Sequence, residues 1–197
     1  MPQHVLLDKT VRLRIIRHQA TSGDVGPVFY LRDLPDDKTL HEFAERYQGM
    51  DPSAVKACIV LARTASDLLT AFETMLSKHG LSQGRFLTLI VMNRRPDESI
   101  TPSELAEKVG VTRATMTGLL DGLHGDVLIE RELDHRDRRR VRVRLTRRGR
   151  EALERVLPDY YRRTSQLMAR LEEGERRQLL GLLAKVNQGL PRFVDPE

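Results

Sequence analysis

Apolar residues recur at helical spacing along most of the chain and at a spacing of two in one short stretch. From residue 52, Val55, Ile59, Ala62, Leu69, Phe72 and Leu76 fall on one helical face, with Asp51 as cap, Pro52 at the first position and Gly80 as terminator. The spacing predicts a helix over 52–79, ~40 Å long at 1.5 Å per residue, which is longer than one small domain needs. A second helix is predicted over 82–94, with Phe86, Leu87, Ile90 and Val91 facing inward. At the C-terminal end, "REALERVLPDYYRRTSQLMARL" and "GERRQLLGLLAKVNQGL" are both amphipathic, and Pro158 is expected to kink the first or break it in two. Leu179, Leu180, Leu183 and Val186 give the last helix a broad apolar face. A small domain cannot cover all these stripes, so a two-fold dimer built from the terminal helices is expected.

Two short helices lie between the long ones. "TPSELAEKVG" begins with Thr101 as cap, Pro102 at the first helical position and Glu104 three residues after the cap, which is a capping box. Leu105, Ala106 and Val109 form its inner stripe, and Gly110 stops it. Thr112 then caps "RATMTGLLDGLHGD", with Met116, Leu119, Leu120 and Leu123 inward. Two short helices joined by a glycine-containing turn form a helix-turn-helix pattern. The second helix opens on Thr112, Arg113, Thr115 and Thr117, short hydroxyls plus one arginine, which permit close approach to base edges.

The spacing then changes to two. "RVRVRL" alternates from Arg140 to Leu145, a strand pattern with Arg140, Arg142 and Arg144 on one face and Val141, Val143 and Leu145 on the other. "VLIERELD", from Val127, reads as its partner strand, and the turn-prone "DHRDRR" between them makes a hairpin with a basic tip. Helix, turn, helix and basic hairpin together are the winged helix-turn-helix arrangement. The expected fold is mainly α: a winged domain with a two-stranded β wing, plus long N- and C-terminal helices forming a dimerisation domain. Residues 81–149 are assigned to DNA binding, 37–80 and 150–197 to dimerisation, and 1–36 to an N-terminal extension. Within 1–50, "DDKTLHEFAERYQGM" suits a short helix capped by Asp36 or Asp37, and "VRLRIIRH" and "PVFYLRDL" suit strands or extended arms.

Charge sharpens this picture. The 197 residues carry a net charge of +5, yet residues 131–150 hold ten arginines against Glu132, Asp134 and Asp137, a local +7, which leaves −2 elsewhere. A near-neutral body with one basic projection fits a probe for a groove or phosphate track better than a general polyanion binder. No apolar run approaches the ~18–20 residues of a membrane span. The single cysteine, Cys58, excludes an internal disulfide, and a reducing cytoplasm is expected. Phosphate-binding loops, nucleophile motifs and paired carboxylates are absent, so neither an enzyme nor a cofactor is expected. His41, Glu42 and Glu45 share a helical segment, but a lone histidine beside two acids reads as a solvated face and not as a metal site.

The helix pair "TPSELAEKVGVTRATMTGLLDGL", the wing "ERELDHRDRRRVRVRLTRRG" and the order of the flanking helices resemble the MarR family of bacterial transcription regulators, over about residues 37–190. The most specific element is Asp137, Arg138 and Arg139, followed by an apolar strand, Leu145, Thr146 and Gly149. The resemblance implies that Asp137 orients the base of the wing and that Arg139 enters the minor groove. It also implies that Thr112, Arg113, Thr115 and Thr117 lie in the major groove, with Arg136, Arg138 and Arg140 adding to the basic wing. In the family a glycine-leucine turn precedes the first wing strand; here Val127 precedes Leu128, and the turn is expected to be reshaped.

A dimer of this kind is expected to bind double-stranded DNA at a pseudo-palindromic site of ~16–20 base pairs. The resemblance further implies release by a small molecule, phenolic carboxylates being a frequent class. Arg63 and Arg85 are the candidate carboxylate partners, although each also reads as a surface or ion-paired arginine. Cys58 falls where the organic-peroxide-sensing branch carries its reactive cysteine. The tyrosines of that branch are replaced here by Ala62, Phe72 and Gln83, so Cys58 reads as a small apolar side chain and redox sensing as the alternative. A nonspecific architectural nucleic-acid binder is the remaining rival. Repression is the commoner mode in the family.

Overall fold

A computed structural model describes residues 33–133 and 141–194. The chain divides into two compact units at Val156–Leu157.

The first unit, described over 33–133 and 141–156, contains the winged domain. Helix α1, Asp37–Arg46, is capped by Asp36, whose carboxylate accepts the Thr39 N–H at 2.8 Å. Helix α2, Pro52–Ser77, is capped by Asp51 through the N–H groups of Ser53 and Ala54. Both carboxyls are held below their ordinary value, Asp36 by bonds from Thr39 and Asp51 first by the Ser53 hydroxyl. The sequence stripe of α2 is only partly buried: Met75 and Leu76 are enclosed, whereas Val60, Leu61 and Leu69 are exposed. Cys58 is exposed too within the single chain. The reason is that α2 packs on α1 and on α3, and among the described residues most of the face between is left uncovered.

Helix α3 (Gln83–Asn93), α4 (Pro102–Val109) and α5 (Arg113–Gly125) pack on one another around Phe86, Leu89, Met92, Leu105, Met116, Leu120 and Leu123. In α3 Phe86 and Val91 are buried as expected, but the inward face departs from expectation at two positions. Leu87 is exposed, and Thr88 is buried with its hydroxyl donating to the Gly84 carbonyl at 2.8 Å. The capping box at Thr101 is present in both directions, and Gly110 ends α4 at φ 80°. Strands β1 (Ile129–Leu133) and β2 (Val141–Leu145) pair antiparallel, with Ile129 opposite Leu145 and Leu133 opposite Val141. Val143 and Leu145 are buried beneath β2, as alternation predicts. A third edge was not read from sequence: Ile100 exchanges both backbone bonds with Val143, at 3.0 and 2.9 Å.

The turn from α5 into β1 keeps a glycine-type geometry without glycine. The Leu128 N–H bonds the Leu123 carbonyl and the Val127 N–H bonds that of His124, both at 2.9 Å, the paired closure of a helix C-terminus. Val127 occupies the left-handed position at φ 60°. The expected reshaping does not occur; the turn forms with local strain. A left-handed β-branched residue costs roughly 1–2 kcal/mol, whereas glycine adds back about 0.5–1 kcal/mol of unfolded-chain entropy. Val127 is 55% exposed, so little packing would be lost on its removal. Val127→Gly is therefore expected to raise the melting temperature by about 2–3 °C for a chain of this size. An unchanged or lower value in a calorimetric scan would mean that the valine contributes packing that outweighs its strain.

Helix α6, Arg147–Met168, runs from the first unit into the second, burying Gly149, Ala152, Leu153 and Val156 in the first. It is one continuous element, so Pro158 does not break it. Pro158 and Glu154 are both exposed, which lets water take the place of the missing N–H at the Glu154 carbonyl. In the second unit, Arg176 donates to the carbonyls of Met168 and Leu171 where α6 ends. Helix α7, Glu173–Val194, passes through Pro191 and buries no residue. Leu180 is 68% and Phe193 81% exposed. Among the described residues no helix is long and apolar enough to cross a membrane.

Candidate nucleic-acid interface

The start of α5 is built by its cap. Thr112 has extended backbone and accepts the Thr115 N–H at 3.1 Å, and the two hydroxyls lie 2.9 Å apart. The Thr117 hydroxyl donates to the Arg113 carbonyl at 3.0 Å, which occupies its proton and leaves its lone pairs and methyl. All four expected readers, Thr112, Arg113, Thr115 and Thr117, are exposed, while Met116 and Leu120 on the opposite face are fully buried. The helix therefore presents one polar, short-chained face whose hydroxyls are already oriented by local bonds. A threonine methyl can contact thymine and an arginine fork can reach guanine.

The arginines around the wing base have partners within the protein. Arg131 of β1 pairs with Asp121 of α5 at 2.5 Å, Arg144 of β2 with Glu130 at 2.8 Å, Arg150 of α6 with Asp97 at 2.8 Å, and Arg147 with Glu151 at 2.9 Å. Arg142 is half-buried; its Nε donates to the Ser99 hydroxyl at 2.8 Å and its Nη2 to the Ser99 carbonyl. All four acids lie outside the arginine-rich segment 131–150, so the arginines at the base of the wing and the start of α6 are neutralised by carboxylates of α5, of β1, of the loop before α4 and of α6 itself. Sequence reading missed this sorting, because Ser99 and Arg142 are 43 positions apart and nothing local links them. Arg142 and Lys108 also act on Glu104, whose carboxyl is held below its ordinary value first by the Thr101 N–H and then by the Thr101 hydroxyl. Since the folded value is the lower one, the α4 cap is fully formed at neutral pH and weakens only as pH falls through that value.

Arg136, Asp137, Arg138, Arg139 and Arg140 lie outside the described residues. The extended segments expected over 11–34 do so almost entirely. The two candidate effector arginines are both engaged: Arg63 with Asp67 at 2.8 Å, and Arg85 with Asp126. They differ in partner: one bonds within α2 and the other reaches the end of α5. Among the described residues no group of three or more metal-ligating side chains occurs around His41, Glu42 and Glu45 or elsewhere.

Known proteins share this arrangement. The sequence model of the MarR family matches residues 79–140, the stretch that follows α2 and runs through β1 to the residue before β2. The HTH-type transcriptional repressor YetL of Bacillus subtilis is 31% identical over 165 residues, which are 84% of this chain and 99% of that protein. The transcriptional repressor MprA of Escherichia coli is 30% identical over 77% of this chain and 86% of its own length. Among solved structures, the M. tuberculosis transcriptional regulator MOSR in complex with DNA superposes with a TM-score of 0.53 at 29% identity, over 68% of this chain and 97% of that one.

Proposed function

The chain belongs to the MarR family, and on that premise we propose that it is a sequence-specific DNA-binding repressor of transcription acting as a homodimer on a pseudo-palindromic site. The observation that carries this reading is the outward face of α5: Thr112, Arg113, Thr115 and Thr117 exposed on a helix whose other face is locked in the core beside the wing. In this reading the face enters the major groove, and Arg136, Arg138, Arg139 and Arg140 carry the wing to the minor groove, with Asp137 orienting it. Residues 81–149 form the DNA-reading part, and 37–80 with 150–197 the dimerisation part. The uncovered apolar faces of α2 and α7 support a second copy of the chain as their cover. The names of the relatives YetL and MprA support repression.

Release by a small carboxylate is the second element of the reading. Arg63 and Arg85 bind Asp67 and Asp126, so a ligand carboxylate acts here by displacing a protein carboxylate of the same chemistry.

The test is a competition between duplex from the gene's own upstream region and random duplex. The protein is expected to prefer one upstream segment by about 10³-fold or more. Arg113→Ala is expected to lower that preference by about 10–100-fold while leaving affinity for random duplex nearly unchanged, the effect of losing one bidentate base contact. Equal affinity for both duplexes would make the protein an architectural binder instead, and equal losses on both would assign Arg113 to phosphate.

A further inference from the structure

We propose that Arg85 is a positioning residue for DNA readout, clamping the C-terminal end of α5 and so setting the angle at which that helix and the wing meet the duplex. The inference rests on the reading of α5 as the base-contacting helix and adds a residue that does not itself touch DNA.

Arg85 lies in the first turn of α3. The two helices are in close contact there, because a Cβ on the preceding Gly84 would come within 3.0 Å of Leu119 Cδ2 of α5. From this short distance Arg85 Nη2 ion-pairs with the Asp126 carboxylate and donates to the Gly122 carbonyl at 3.5 Å. Gly122 lies in the last turn of α5 and Asp126 is its cap residue. A cation at a helix C-terminus meets unsatisfied carbonyls and the negative end of the helix dipole. The Arg85 side chain is only 22% exposed, and its Nε is buried without a hydrogen-bond partner among the described residues. A guanidinium desolvated to that degree is kept by its geometry and not by hydration.

What it clamps is the strained point of the unit. Asp126 is followed at once by left-handed Val127, and then by Leu128, the residue that leads into β1. Arg85 thus holds the residue from which the helix and the wing diverge. A helix of 13 residues is ~20 Å long, so a tilt of about 5° about that end moves the Arg113 end by roughly 2 Å. Hydrogen bonds to base edges do not survive such a shift. Contacts to phosphate, being long-range and adaptable, largely do. Loss of the clamp therefore erodes specificity before it erodes general affinity.

The experiment titrates wild type, Arg85→Gln, Asp126→Asn and the exchange Arg85→Asp with Asp126→Arg against the preferred upstream duplex and against random duplex, with melting temperatures recorded for each. Arg85→Gln and Asp126→Asn are each expected to cut the preferred-to-random affinity ratio about tenfold, the equivalent of one misplaced base contact. Affinity for random duplex should change little, and the exchange should restore the ratio. Asp126 is more than half exposed, so Asp126→Asn carries the test should Arg85→Gln fail to fold. Variants that melt lower but keep the wild-type ratio would overturn the clamp, leaving Arg85 a packing residue. A wild type with no preference overturns the functional reading and the clamp together. A wild-type preference untouched by either substitution overturns the clamp alone.

Discussion

Gly149→Ala should destabilise this protein more than a methyl added at Gly84 or Gly122. A Cβ at Gly149 would lie 2.1 Å from the Leu128 carbonyl oxygen and 2.8 Å from Leu145 Cδ1. The first is a backbone atom already fixed by the Thr146 N–H at 3.1 Å, so it cannot yield alone. Nor can α6 retreat easily: Thr146 accepts the Gly149 N–H at 3.0 Å while its hydroxyl donates to the Val127 carbonyl at 2.8 Å. Leu128 precedes the Ile129–Leu145 pair, so any shift opens the wing at its base. Overpacking of this kind costs about 3 kcal/mol or more, and the melting temperature should fall by roughly 6–12 °C. Gly122→Ala is the control, since a Cβ there meets nothing within 4 Å. Helix propensity alone predicts that it is neutral or stabilising by up to ~1 kcal/mol. Equal melting of Gly149→Ala and wild type would mean that α6 does not approach Leu128 this closely.

The same turn shows what the sequence could and could not disclose. Caps at Asp51, Thr101 and Thr112, and the alternation of Val141, Val143 and Leu145, are local signals, and the elements they predict are present. The glycine at 149 was legible as part of a pattern, but its cause, the Leu128 carbonyl 21 positions earlier, was not. Long-range pairings behave alike: Ile100 with Val143, Ser99 with Arg142 and Arg85 with Asp126 join residues about 40 positions apart, and no periodicity encodes them. The exposure of Cys58 in one chain has a different origin. Periodicity reports which face of α2 is apolar, whereas what covers that face is decided by a neighbour, and among the described residues most of it has none. Of the two outcomes expected at Pro158, the break does not occur, because a proline on an exposed helical face leaves its orphaned carbonyl to water.

The division between wing base and wing tip leads to the largest expected effect on binding. Arg131, Arg142, Arg144 and Arg150 are held by groups of the protein itself. The ion pairs of Arg131, Arg144 and Arg150 contribute about 0–1 kcal/mol each, and a guanidinium already facing a carboxylate releases few DNA counterions, while Arg142 is turned onto Ser99. The arginines at 136, 138, 139 and 140 must then supply most of the wing's share of charge neutralisation. For a dimer with about 6–10 phosphate contacts, affinity for the preferred duplex should fall by ~10³–10⁵ between 50 and 200 mM salt. Arg139→Ala should lower affinity by roughly 10–100-fold at physiological salt, since each dimer loses two minor-groove contacts, and it should make the slope of log affinity against log salt shallower. Arg144→Ala should leave that slope nearly unchanged, because Glu130 neutralises Arg144 before DNA arrives. A salt-independent affinity, or an Arg139→Ala protein that binds like wild type, would remove the wing from the interface. If Arg144→Ala flattened the slope as much as Arg139→Ala, the base arginines would be leaving their carboxylates for phosphate, and the sorting of charge along the wing would not survive binding.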